Sequence, residues 1–471
     1  MTGYAPVAKH NIRDLEEILG SHNVAVDEEK RQAYSRDEVG IQFWDRQYCA
    51  EVVVFPESTE HVSAVLAYAN ERKIPVTPRG AGTGLSGGAV PAFGGIVMAF
   101  DRMNRILEVD LENLTISAEP GVVTAEIQAA AARCGLEYAG DPCSGDASFI
   151  GGNVAENAGG NRVIKYGTTG ANVLALEVVL PSGRVCWFGG KRRKDVTGLD
   201  LVHLLVGSEG TLGVVTKVVL KLVPRQEHVV DLLVPFAGVD EAISFVPRVI
   251  RETGLIPSSL EFMDRASLSL VSRYLGSSLP YADAAAHLIV QLEGGDPEVL
   301  ADQYEQIGDL CFEGGALEVF VADNRNFCDQ LWKARKNIAE AVIAFYTKYA
   351  KEDLVVPTSA VPELMKGIGR VCSSYNLESA NFGHVGDGNM HVNILAGEDR
   401  DDWREVIEAA RLDLYRLVAG LGGTLSGEHG IGLKRKKYLP LFLDEQQMEL
   451  IRGIKKVFDP NMILNPGKIV D

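Results

Sequence analysis

The sequence predicts an α+β chain of more than one domain, and three observations predict it. Strand and helix patterns follow one another down the chain instead of separating into an all-helical and an all-strand half. Two glycine-rich tracts, residues 80–95 and 145–170, interrupt those patterns in a chain with 49 glycines. The 471 residues are 46% hydrophobic, which at this length suffices for two or three separate cores.

Taken in order, residues 9–36 read as a charged helical lead-in. Residues 52–55 are a strand. Residues 57–72, behind Pro56, form an amphipathic helix with apolar positions at 62, 65, 66 and 69. A strand at 74–77 completes a β-α-β unit. Further strands fall at 95–100 and 115–118, and a helix at 124–134 stops at Gly135. The strand at 173–180 turns through Pro181-Ser182-Gly183 into a partner at 184–188, and 212–222 is again a strand. Beyond Pro224 the pattern changes to two rounds of strand and helix over 230–325. One continuous helix is expected over 326–348, carrying Trp332 and Arg335. Another, over 402–421, stops at Gly422-Gly423, and the last covers 444–457.

Charge and cysteine usage narrow the function classes. A net charge of −18 argues against nucleic acid or an anionic membrane as the main partner. The seven cysteines are scattered, without a Cys-x-x-Cys pair, so neither an iron–sulfur cluster nor a disulfide framework is indicated. Residues 1–17 lack an apolar leader core, and no run of about 18 apolar residues occurs. The expectation is a cytoplasmic protein with no direct membrane span, reaching a membrane only through a partner subunit.

Three of the nine histidines fall in two short segments, residues 383–393 and 426–430. The first reads as a β-hairpin turning at Gly386 to Asn389, a register that places His384 directly across from His391. Two imidazoles so opposed can share a metal ion, and Asn393 lies on the same face. Glu428 can supply a third ligand and His429 a base. Two histidines and one carboxylate leave a coordination position open, as catalytic sites do.

Gly82-Thr83-Gly84-Leu85-Ser86-Gly87 satisfies the Gly-x-Gly-x-x-Gly pattern, yet no helix can follow it. The next residues are Gly88-Ala89-Val90-Pro91-Ala92-Phe93-Gly94, so a Rossmann site is rejected. The loop can still cradle a pyrophosphate on successive backbone N–H groups, with Arg79 as a cation at its entrance. The second tract, residues 141–160, reads as too polar and flexible for a core element. Its small residues suit a flat ring lying against backbone.

Together the stretches PRGAGTGLSGG, DPCSGDASFIGGNVAENAGGNRVIKYG, LVGSEGTLGVVT, LWKARKNI, GHVGDGNMHVNI, SGEHGIG and DPNMILNPGK resemble the flavoprotein family of vanillyl-alcohol oxidase and p-cresol methylhydroxylase type. Within it they are most similar to the FAD-linked D-2-hydroxy acid dehydrogenase branch. That branch includes the flavin subunit of glycolate oxidase, D-lactate dehydrogenases and D-2-hydroxyglutarate dehydrogenase. The resemblance implies a helical lead-in at 1–47 and a two-subdomain FAD-binding domain of the p-cresol methylhydroxylase type at 48–226. An α+β substrate (cap) domain would follow at 227–425, and a C-terminal segment at 426–471 would return to the flavin. It implies that Pro78, Arg79, Gly80, Ala81, Gly82, Thr83, Gly84, Leu85, Ser86 and Gly87 grip the pyrophosphate. Pro142, Ser144, Gly151, Gly152, Asn153 and Asn157 would line the isoalloxazine. Lys165, Tyr166, Gly167, Glu209, Gly210, Val214, Val215 and Asn465 would complete the FAD site. No histidine lies between Arg79 and Gly95, so noncovalent FAD is expected.

The same resemblance makes His384, His391 and Glu428 ligands of a divalent metal, zinc or iron(II), and His429 the catalytic base. Arg335, Asn393 and Lys351 would contact substrate. Ala339 stands where the hydroxyglutarate enzymes have a threonine one helical turn from the arginine, and Lys351 is displaced by one residue. Both departures favour a small acid, D-lactate or glycolate. The implied reaction is hydride transfer from a 2-hydroxy acid to flavin N5. Electrons would pass to an external acceptor: an electron-transfer flavoprotein, an iron–sulfur subunit, a cytochrome or a quinone. Alternatives are a D-2-hydroxyglutarate dehydrogenase, an O₂-using oxidase, or a flavin subunit active only inside a multi-subunit complex. The assembly expected is a homodimer or a hetero-oligomer.

Overall fold

The computed structural model describes residues 3–40, 43–322 and 324–470. Backbone contacts divide the chain into two units: Met1–Gly159, Gly167–Arg225 and Glu428–Asp471 form the first, Gly160–Tyr166 and Gln226–Gly427 the second. The sequence boundaries at 226/227 and 425/426 stand one and two residues from these crossings. Neither the lead-in nor the C-terminal segment forms a unit of its own, and the detour of Gly160–Tyr166 has no signal in the sequence.

In the first unit, β1 (Val24–Ala25), β2 (Val52–Val54), β3 (Val76–Arg79) and β4 (Ile96–Ala99) make a sheet in the order β1-β2-β4-β3. Strands β2, β4 and β3 run parallel, so a crossover must join them. The helix Thr59–Arg72 is that crossover between β2 and β3. Ser58 Oγ caps it by accepting from the His61 N–H at 3.3 Å, and the chain leaves through Lys73 in the left-handed region at φ +54°. Its Val62, Val65, Leu66 and Ala69 bury against Val52, Val54, Ile96 and Met98. Val52, Val53 and Val54 are all fully buried, as expected of a parallel strand covered on both faces.

The second sheet of this unit is antiparallel. It contains β5 (Ile106–Asp110), β6 (Thr115–Ala118), β8 (Val173–Val179), β9 (Val185–Gly189) and β10 (Val214–Lys221) in the order β5-β6-β10-β8-β9. A short pair, β7 (Leu136–Glu137) with β11 (Val223–Pro224), lies outside it. One expectation is overturned here. The second glycine tract contains the helix Ile150–Glu156, and its Ile150 and Val154 are fully buried in the core of this sheet. The glycines serve close packing: a Cβ on Gly151 would stand 2.5 Å from the Pro120 side chain.

The second unit is built on one antiparallel sheet of seven strands. These are β12 (His228–Phe236), β13 (Ser259–Asp264), β14 (Ala286–Gly294), β15 (Phe320–Ala322), β16 (Tyr349–Val355), β17 (Glu378–His384) and β18 (Asn389–Leu395). Their order is β15-β12-β14-β13-β17-β18-β16. Two expectations are corrected. The β17–β18 hairpin turns at 385–388, pairing His384 with Asn389 and Phe382 with His391. Asp387 Oδ1 accepts from the Asn389 N–H, and Gly388 takes φ +85°, which together fix this turn over the one a residue further on. The two histidines are therefore diagonal neighbours on one face. The expected helix over 326–348 is also two, Arg325–Lys336 and Ile338–Phe345. Asn337 breaks it at φ −96° and ψ 6°, its backbone N–H and its Nδ2 both donating to the Lys333 carbonyl, at 3.2 and 2.8 Å. Ala339 thus belongs to the helix after Arg335's, and it packs on the apolar core around Leu331 and Ile338.

Candidate active site

The first unit contains an open cleft with about 1360 Å³ of empty space. Its walls include Pro78 to Leu85 from the first glycine tract and Pro142, Ser144, Gly151, Gly152 and Asn153 from the second. Glu209, Gly210, Val214, Val215 and Asn465 complete them, and Glu428 and His429 stand at the same cleft. These walls fit FAD, since a long backbone-lined slot suits a flat ring and a pyrophosphate. A Cβ built on Gly152 meets nothing within 4 Å, so that position opens into free space.

Several expected residues are engaged within the protein or lie outside the cleft lining. Arg79 is buried, its guanidinium donating to the carbonyls of Arg36 and Ala81 and lying over the Tyr34 ring. It organises the loop from below instead of standing as an open cation at the entrance. A Cβ on Gly82 would fall 2.0 Å from Arg79 Nη2, which is why glycine at φ +81° sits there. Ser86, Gly87 and Asn157 brace the walls from behind. The Ser86 carbonyl accepts from the N–H groups of Leu433 and Lys434, Gly87 N–H donates to Asp37, and Asn157 Oδ1 accepts from Gly170 N–H. Lys165 and Tyr166 belong to the second unit, where both engage Glu293, and Gly167 lies outside the cleft lining.

A group of charged side chains, Glu156 and Glu209 in the walls with Asp37 and Lys468, gathers at the cleft. Glu209 Oε1 and Oε2 accept from the N–H groups of Ile431 and Gly432 at 2.7 and 2.6 Å. This carboxylate pins the loop that carries Glu428 and His429. Burial, reinforced by Glu209 and Asp37, raises the Glu156 carboxyl well above its ordinary value. Burial also pushes Asp37 up to about 6 and Lys468 down to about 8.

The chemistry of the second unit gathers on one face of β13, β17, β18 and β16. His384 and His391 are both buried, and their Nε2 atoms stand 3.4 Å apart. His384 Nδ1 lies 2.7 Å from Glu261 Oε1, and His391 Nδ1 3.7 Å from Asp353 Oδ1. Carboxylates beside the Nδ1 atoms leave the Nε2 atoms converging on each other. A carboxylate on His384 Nδ1 with the two Nε2 atoms converging is an arrangement that metal-ligating imidazoles use, so this pair fits a divalent ion. Asp353 also accepts from Ser426 Oγ and Gly427 N–H at 2.6 and 2.9 Å, holding the residues directly before Glu428. Arg335 is 1% exposed, its Nε and Nη2 on Glu261 Oε2 at 2.8 and 2.6 Å and its guanidinium over the Phe382 ring. Burial pushes the Glu261 carboxyl up, but His384 and Arg335 outweigh it and hold it below its ordinary value. Asn393 donates from Nδ2 to the Ala380 carbonyl, and Lys351 is its register partner on β16.

Sequence reading missed Glu261, Asp353 and Glu156. The signal for Glu261 was present: one acidic residue inside Leu260-Glu261-Phe262-Met263, a strand apolar on both faces, must be buried and therefore paired.

Comparison with known proteins agrees with a flavin cleft in the first unit. The family model for the FAD binding domain matches residues 50–189, and that for the C-terminal domain of FAD linked oxidases matches residues 225–469. The chain is 37% identical to the glycolate oxidase subunit GlcD of Bacillus subtilis, over 98% of this chain and 97% of that one. It is 36% identical to a D-lactate dehydrogenase of Anaerostipes hadrus, over 99% and 98%. With a D-2-hydroxyglutarate dehydrogenase of Stutzerimonas stutzeri the identity is 32%, over 97% and 98%. The crystal structure of p-cresol methylhydroxylase with substrate bound shares the fold, at TM-score 0.80 and 17% identity over 98% of this chain and 96% of that one. The chain is an FAD-linked oxidoreductase and belongs to the group that contains the glycolate oxidase subunit GlcD, the D-lactate dehydrogenases and the D-2-hydroxyglutarate dehydrogenases.

Proposed function

We propose that the chain oxidises a small D-2-hydroxy acid, D-lactate or glycolate, to the 2-oxo acid and passes the electrons to a separate acceptor. The observation that carries this reading is the polar face of the second unit's sheet, where Arg335 and His384 Nδ1 share the Glu261 carboxylate and the Nε2 atoms of His384 and His391 converge. Arg335 takes the substrate carboxylate, for which its planar donor set is suited. Asn393 and Lys351 hold the remaining polar groups of the substrate. His429 receives the hydroxyl proton at a ring nitrogen. His384, His391 and Glu428 hold zinc or iron(II), a set supported by the grip of Asp353 on Ser426 and Gly427. When bound, FAD supplies the two-electron acceptor and the ion a Lewis acid. The flavin is held without a covalent bond. The acceptor is an electron-transfer flavoprotein, an iron–sulfur subunit, a cytochrome or a quinone, and the subunit status of GlcD supports work within a hetero-oligomer. Among the described residues no helix is long and apolar enough to cross a membrane.

A short monocarboxylate is favoured because Glu261 offsets the charge of Arg335, leaving little positive charge for a second carboxylate. The argument from Ala339 does not contribute, since that residue packs on the core. A second reading, D-2-hydroxyglutarate, is favoured by one observation: Lys351, opposite Asn393, offers another cation on the same face. Comparing kcat/KM for D-lactate, glycolate and D-2-hydroxyglutarate decides between them. The monoacids should lead; a tenfold preference for the diacid, about 1.4 kcal/mol of transition-state binding, selects the second reading.

A further inference from the structure

We infer that Glu261 is a positioning residue that sets the tautomer of His384 and the direction in which Arg335 presents its guanidinium. It thereby ties ion binding and substrate binding to one buried carboxylate. The inference rests on the reading of His384 as a metal ligand and Arg335 as the carboxylate clamp, and goes beyond it by assigning the group that governs both.

Glu261 is fully buried on β13, next to β17. Phe262 pairs with Gly383 and Met263 with Phe382, so the same register sets Glu261 opposite His384. Its Oε1 lies 2.7 Å from His384 Nδ1, and its Oε2 takes Nε and Nη2 of Arg335. An ionised carboxylate only accepts, so His384 must carry its proton on Nδ1. The Nε2 lone pair is then directed at His391, 3.4 Å away, where an ion shared by the two rings would bind. On Arg335 the Nε–H donates to Glu261, and Nη2 stands 2.6 Å from the same oxygen as an ion pair without a hydrogen bond. The Nη1 side is left to receive a substrate carboxylate, while the stack on Phe382 at 4.6 Å restricts rotation of the plane. The negative charge of Glu261 also opposes a substrate anion at Arg335, holding down its affinity.

These two roles separate in variants. Glu261→Gln removes the charge and can no longer accept from both partners with equal strength. Glu261→Asp keeps the charge but draws the carboxylate back by one methylene. On the FAD-loaded full chain, zinc affinity measured against a chromophoric chelator should fall about 10–100-fold in both variants, the usual cost of losing an orienting partner. The KM for D-lactate should fall in Glu261→Gln, by a factor on the order of ten, because a like charge a few ångströms from the substrate carboxylate is gone. It should stay within about threefold of the parent in Glu261→Asp. In both, kcat should drop. A purely structural carboxylate would raise KM or leave it unchanged, and would move kcat and KM alike in the two variants. Zinc affinity equal to the parent's in a folded, flavin-loaded variant overturns the inference and leaves the proposed function standing. Should Glu261→Gln fail to fold, the zinc affinity of Glu261→Asp alone decides. A parent protein that binds no zinc and leaves D-lactate unoxidised overturns the underlying reading, and this inference with it.

Discussion

At the residue scale the account turns on a few buried polar side chains. His429 stands at the flavin cleft in the first unit. His429→Ala should lower flavin reduction about 10²–10⁴-fold while FAD stays bound, the usual worth of a general base; stopped-flow reduction with D-lactate checks it. Lys468 gives a test independent of catalysis. It is 1% exposed, and burial holds it down at about 8 against an ordinary 10.5. Its depressed value means that the unfolded chain binds more protons between these limits, so stability rises with pH there. Relative to Lys468→Met, the parent should gain up to ~3 kcal/mol between pH 8 and pH 10.5 in denaturant unfolding. Not every such residue was legible. His384, His391 and His429 stand out because histidine is rare in this chain and these fall in or beside glycine-rich turns. Glu261 and Asp353 look like ordinary strand positions, and Arg79 reads as an open cation because a sequence does not say which carbonyls a guanidinium will find.

At the element scale, hydrophobic period placed most strands and helices, including the β-α-β unit, because one-sided burial writes its period into the sequence. The misreadings came where local residues allow two answers. Val385-Gly386-Asp387-Gly388-Asn389 is rich enough in turn formers to turn in either of two registers, and the tertiary contacts of Gly388 choose: a Cβ there would meet the Val356 carbonyl at 2.1 Å. Asn337 breaks a helix that its neighbours would continue, and with it the argument from Ala339. The helix Ile150–Glu156 yields the sharpest prediction at this scale. Gly152 faces open space in the cleft, so Gly152→Val should fill part of the space that the proposed flavin would take. The purified variant should carry less than about a tenth of the parent's FAD, read from its visible absorbance, while its far-ultraviolet circular dichroism matches the parent's.

At the scale of the whole molecule, the two units divide the chemistry. The first carries the flavin cleft with Glu428 and His429, and the second carries His384, His391, Arg335, Asn393 and Lys351. Acid precipitation should release yellow flavin into the supernatant, since no histidine is available in the first glycine tract; fluorescence retained in the pellet would show a covalent bond. Chelator treatment should remove the ion and abolish D-lactate oxidation, with zinc or iron(II) restoring it; full activity in protein shown by elemental analysis to be metal-free would remove the ion from the mechanism. The central claim is that this chain itself takes two electrons from a short 2-hydroxy acid. Anaerobic titration of the purified holoprotein with D-lactate, following the visible flavin spectrum, tests it most directly. The account predicts bleaching of the bound flavin by D-lactate in the absence of any partner, with pyruvate formed in equal amount. A flavin that stays oxidised with D-lactate, glycolate and D-2-hydroxyglutarate alike would contradict it.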